Sequence, residues 1–225
     1  MWMELLQIFR SGDPLEASGR DFLKMLALGH EMARIVEPHL FEHALSLEDR
    51  ARIYDLDIAV NKLERSIRKR LVSHLSLQKS QAAYCLLLFS LVKDAERIGD
   101  YIKNVAEIAS LGGTDVPPGV IRDELTELTG IAMRLFEATP QIVASQDRER
   151  AGELIQSGRS AGKRCDNLVN EIARSDHPAG AVTSMVLLAR FYKRIGAHLV
   201  NILSSVVMPV HKVDYYDERE MTKTP

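Results

Sequence analysis

The sequence predicts an all-α protein, an elongated helical bundle built of two tandem three-helix repeats. Apolar residues recur at spacings of three and four along the whole chain, and no segment alternates at period two. The strongest breaker, Gly112-Gly113-Thr114-Asp115-Val116-Pro117-Pro118-Gly119, falls near the middle. The chain also repeats itself: Arg97-Ile98-Gly99 returns as Arg194-Ile195-Gly196, 97 residues on, each followed five residues after its glycine by Asn104 or Asn201. Lys93 and Arg190, Leu91 and Leu188, and Ile102 and Leu199 keep the same offset, which marks an internal duplication.

The first helix is expected from near Leu15 to the region of His43, burying Phe22, Met25, Leu26, Leu28, Met32 and Ile35. Pro38 must kink or interrupt it, because proline lacks a backbone donor and clashes with the preceding turn. The second starts at Ser46, an N-cap with Glu48 and Asp49 in its first turn, and runs to about His74. The third is expected from near Ser76 to Gly112-Gly113. A fourth follows to roughly Ala138, where Pro140 marks disruption. A fifth covers about Asp147 to Arg174, and a sixth follows Asp176-His177-Pro178 and runs to about Val207. The expected units are residues 1–113, residues 114–212 and a loose polar tail, 213–225. Helices of 25 to 30 residues are roughly 40 Å long at ~1.5 Å per residue, and short connections make them antiparallel neighbours.

A chain of 225 residues can bury a substantial core. A formal charge of −2 gives no overall field favouring nucleic acid or an anionic membrane, so contact with a membrane is peripheral at most. The longest apolar stretch, Ala82 to Val92, falls short of the ~20 residues needed to span a bilayer. Residues 1–10 lack a basic region followed by a continuous apolar one, so no secretory signal is expected. Cys85 and Cys165 sit inside apolar helical patterns and read as buried free thiols suited to a reducing cytoplasm. Catalysis finds no support. There is no Gly-rich phosphate loop and no HExxH or ExxH pair, and His30-Glu31 is followed by Arg34 where a second histidine would be needed.

Glu96 and Asp100 lie one turn apart on one helical face, and their repulsion calls for a cation. Lys103, three residues past Asp100, is one candidate, and counterions in solvent are another. A metal ion is the third, with Asp57 joining the two acids and Asn61 and Glu64 on the same stripe of the second helix. Asp94 and Asn104 are further candidates for the ligand set or its surroundings. The second repeat departs from this pattern. Lys193 and Ala197 stand where Glu96 and Asp100 stand in the first, Gly158, Ser160 and Gly162 occupy the fifth helix, and Asp166 and Glu171 lie too far along. No metal is expected there. Arg190, Lys193, Arg194 and His198 instead form a basic stripe, readable as a site for an anion or acidic partner or as a solvated face. Gly99 and Gly196 read as points of close helix approach, and Arg97 and Arg194 as braces for neighbouring carboxylates.

The run Asp94-Ala95-Glu96-Arg97-Ile98-Gly99-Asp100-Tyr101-Ile102-Lys103-Asn104-Val105-Ala106-Glu107 resembles the signature helix of the PhoU family, regulators of bacterial phosphate uptake. The second repeat resembles the same signature with both acids replaced, and the resemblance extends over roughly Leu15 to Val210. It implies two PhoU-like three-helix repeats. It also implies a non-enzymatic role on the cytoplasmic side of phosphate transport, restraining a phosphate transporter or relaying its state to a sensor histidine kinase. Family acids of this type bind iron-type or other metals, which here implies a divalent or iron-type ion in the first repeat only, at Asp57, Glu96 and Asp100. The alternatives are a metal-binding helical protein with a storage or redox role, or a paralogue serving another transporter. A homodimer is compatible with either.

Overall fold

A computed structural model describes residues 14–41, 44–77, 81–110 and 116–213. They form six long helices: α1 (Pro14–Val36), α2 (Leu47–Leu77), α3 (Ala82–Ser110), α4 (Val120–Ser145), α5 (Arg148–Ala173) and α6 (Ala179–Val207). Single 3-10 turns follow α1 (Glu37–His39) and α6 (Val210–Lys212). The tail expected to be loose lies, from residue 214 on, outside the described residues. None of the helices described is long and apolar enough to cross a membrane.

Local signals account for most boundaries. Pro38 ends α1 in the 3-10 turn, well before His43. Ser46 caps α2, its Oγ accepting from the Asp49 amide at 3.0 Å and donating to the Asp49 carboxylate at 2.7 Å. Ser76 does not open α3. Its hydroxyl donates back to the Val72 carbonyl at 2.8 Å and α2 continues to Leu77, and α3 starts at Ala82, after Gln81 with its positive φ. Nor does Pro140 end α4, which runs on to Ser145. Proline leaves the Phe136 carbonyl without its usual backbone donor, yet ten buried residues, Ile142 and Val143 among them, hold the helix to the core. Gln146 in the left-handed region and the Asp147 cap then turn the chain tightly into α5.

α1, α2 and α3 pack on one another, as do α4, α5 and α6, and contacts of α3 with α6 and of α1 with α4 join the two sets around one continuous apolar core. The ends of α6, Ala179 and Val207, lie 97 residues after those of α3, Ala82 and Ser110, so the offset read in the sequence holds over the whole length of both helices. Cys85 and Cys165 are buried free thiols.

The glycines depart from expectation. A Cβ at Gly196 would meet nothing within 4 Å, and one at Gly99 would make ordinary contact with Asp57 Oδ1 at 3.7 Å. The tight approach is at Gly158 on α5, where a Cβ would lie 2.5 Å from Val200 Cγ2 and 3.2 Å from Leu135 Cδ1. Sequence identity between repeats pointed to the matched glycines, but it is the unmatched one that lets α5 close on α4 and α6.

Candidate functional site

The α2–α3 hairpin brings Asp57, Asn61 and Asp100 together, with Lys103 at the centre. Lys103 Nζ donates to Asp57 Oδ2 at 2.9 Å and to Asp100 Oδ1 at 3.3 Å, and Asn61 donates to Asp57 Oδ2 at 3.2 Å. The Asp57 side chain is only 8% exposed, so its charge needs a close partner. Burial of Lys103 works to lower its pKa, but hydrogen bonds and attraction from Asp57 and Asp100 outweigh that and hold the ammonium above the usual lysine value.

Glu96 lies one turn before Asp100 and has its own lysine, Lys93, whose Nζ donates to Oε2 at 2.7 Å. Arg97 lies 3.9 Å from both Glu96 and Asp100, the bracing role read for it, though at a distance that makes it weak. Glu64 pairs with Arg68 at 3.2 Å, and the Arg68 guanidinium lies over the Phe89 ring. Glu64 Oε1 and Arg68 Nε are buried without a hydrogen bond, so that pair is matched in charge but poorly aligned. Asn104 is half-buried and takes no part in the cluster. Asp94 points elsewhere: it accepts from Asn201 at 3.2 Å and pairs with His198 Nδ1 at 2.7 Å, both on α6.

The proposed metal ligands Asp57, Glu96 and Asp100 therefore share one face, but each already faces a lysine ammonium. Among the described residues no group of three His, Cys, Asp or Glu side chains is placed to hold a metal ion. As arranged, the residues do not fit one. The sequence showed Lys103 as a neighbour of Asp100 on α3; its second bond, across the hairpin to Asp57, could not be read without the helix pairing.

The basic residues of the second repeat do not form one continuous surface. Arg190 Nη1 and Lys193 Nζ both bind Asp166 on α5, at 3.1 Å and at 2.6 Å. Asp166 is thus level with Lys193 rather than too far along, because in an antiparallel pair each step up α5 is matched by a step down α6. His198 turns inward to Asp94, and Arg194 is exposed, with no carboxylate paired to it among the described residues. A groove of about 230 Å³ runs beside this bridge, floored by Gly158, Gly162 and Ala197, where the first repeat carries its bulkier polar cluster.

The PhoU domain family matches residues 30–109, a span that contains the whole acidic cluster. Over 194 residues the chain is 30% identical to the phosphate-specific transport system accessory protein PhoU homolog of Synechocystis sp., with 83% of this chain and 85% of that protein covered. The fold resembles the crystal structure of PhoU from Pseudomonas aeruginosa, with a TM-score of 0.78 at 20% identity over 88% of this chain and 97% of that one. It also resembles the phosphate transport system regulatory protein PhoU from Streptococcus pneumoniae, with a TM-score of 0.71 at 17% identity over 86% and 93%.

Proposed function

The chain belongs to the PhoU family, and on that premise we propose that it regulates phosphate transport by docking to proteins of the transport system rather than by catalysing a reaction. The observation that carries this reading is the likeness to a phosphate-specific transport accessory protein across both repeats, not the signature helix alone. The physical features are consistent with it. Two three-helix sets present long helical faces, and such faces suit partner helices better than they enclose a small molecule. Regulation then follows from differential affinity: an accessory protein that binds one state of a transporter or sensor kinase more tightly shifts it toward that state. The place of action on this reading is the cytoplasmic side of the membrane.

Within this proposal Arg194 is the informative surface residue. Arg190 and Lys193 are engaged with Asp166, so reversing their charge would disturb the α5–α6 pairing as well as any partner contact. Arg194→Glu changes the exposed face alone. The test is binding of the immobilised chain to the detergent-solubilised phosphate transporter of the same organism. The reading expects saturable binding, weakened by Arg194→Glu if this face docks. No binding to transporter or to phosphate-sensing kinase, with folded protein and at low salt, would remove the docking mechanism.

A further inference from the structure

We propose that Lys103 is itself the cation of the first repeat's acidic cluster, so that this chain closes with a lysine ammonium the place where the family resemblance implies a metal ion. Three observations carry the inference. Lys103 Nζ sits between Asp57 of α2 and Asp100 of α3, bonded to both, and is itself only 22% exposed in its side chain. The third proposed ligand, Glu96, is occupied separately by Lys93. The fourth acid of the face, Glu64, is matched by Arg68. Among the described residues, Asp57, Glu64, Glu96 and Asp100 are thus matched in number by Lys103, Arg68, Lys93 and, at 3.9 Å, Arg97, which reduces the net negative charge that would attract a divalent ion.

The second repeat supports the same conclusion independently. Val200 stands at the position matching Lys103 and closes on Gly158, so the polar link has no counterpart there. At the position matching Glu96 stands Lys193, which bonds Asp166 of α5. In each repeat, then, one lysine on the last helix reaches across to one carboxylate on the middle helix. Lys103 and Lys193 are two placements of the same device, a covalently attached cation that links a helical hairpin and needs no metal supply.

This inference does not depend on the transport role, and its test reads metal content and stability rather than regulation. The full-length wild-type chain, Lys103→Met, Asp57→Asn and the double variant are each melted with Mn(II), with Fe(II) under anaerobic conditions, and with EDTA. Bound metal is measured after desalting. The expected result is a wild-type Tm that neither metal nor chelator moves, with no stoichiometric metal retained. Lys103→Met should melt lower in EDTA and regain stability on adding metal, since it uncovers Asp57 and Asp100. The double variant should lose less than the sum of the single losses, because the two side chains act as one pair. Stoichiometric metal on the wild type, a fall in its Tm on chelation, or additive effects of the two substitutions would each overturn the proposal. If Lys103→Met does not fold, the comparison of wild type and Asp57→Asn with and without chelator decides the question by itself.

Discussion

Tyr101 and His198 occupy matching positions in the two repeats, 97 residues apart, and their rings stack on each other with centroids 5.7 Å apart. A residue that touches its own counterpart lies on a two-fold axis, as in an isologous dimer interface. The contacts around it obey the same rule. Asp94 meets His198, and the counterparts of those two, Phe191 and Tyr101, meet in turn with centroids 6.0 Å apart. The α3–α6 interface is thus a pseudo-symmetric seam in which one copy of a contact has become polar and the other aromatic.

That divergence makes the two halves of the seam respond differently to similar changes. His198→Phe keeps a ring against Tyr101 but leaves the Asp94 carboxylate, 9% exposed, without its close partner. It should cost about 1–3 kcal/mol in chemical unfolding. Tyr101→Phe keeps both stacking contacts and should stay within about 0.5 kcal/mol of wild type. Equal effects of the two would mean that the Asp94–His198 contact contributes nothing to holding the repeats together.

Gly158 and Gly196 should give opposite signs on replacement by alanine. At Gly158 the new methyl meets Val200, whose β-branched side chain cannot swing away, and overpacking should cost about 1–3 kcal/mol. At Gly196 there is open space, and the helix should gain about 0.5–1 kcal/mol from the better helix former. Urea titration of both variants separates these outcomes.

His30 on α1 stacks against Phe136 of α4, and burial, followed by the neighbouring Arg34 charge, lowers its pKa below 6.5. The unfolded chain therefore takes up a proton at a higher pH than the folded one. The stability tied to neutral His30 is complete above pH 6.5 and declines as pH falls from there toward the lowered folded value. His30→Phe removes that titration. The loss of stability between about pH 7.5 and about pH 5.5 should be smaller in the variant than in wild type. An identical pH dependence in the two proteins would show that His30 titrates alike in both states.

The Cys165 thiol is pushed up to about 11, first by burial and then by the Asp166 charge. It is neutral at physiological pH and sits inside α5, so iodoacetamide at mild alkaline pH should label it far more slowly in the folded protein than in urea. Mass spectrometry of the labelled peptide reads the rate directly. Labelling of folded protein at the rate of an unfolded thiol would contradict the burial.

The fold was legible in the sequence because helix period and a fixed offset survive divergence: six helices and the correspondence of α3 with α6 follow from them. The errors came from single residues read without their neighbours. Pro140 reads as a break until the apolar residues beyond it are seen to be buried, and Gly158 reads as a weak helix position until Val200 is placed against it. At the site, spacing along α3 put Glu96, Asp100 and Lys103 within one stretch of helix, but it could not reveal that Lys103 reaches across to Asp57 of the partner helix. Asp94 and Glu96 are two residues apart and face different helices, so one joins the α6 seam and the other the α2–α3 face. Helical spacing tells which residues share a stripe; only the pairing of helices tells what each stripe meets.

The most direct measurement of the central claim is phosphate uptake in a strain lacking this protein and any paralogue, together with a phosphate-responsive reporter. The account predicts that deletion alters uptake or reporter output, that the wild-type chain restores both, and that no enzymatic step is lost. Uptake and reporter output identical to wild type, at high and at low phosphate, would contradict it.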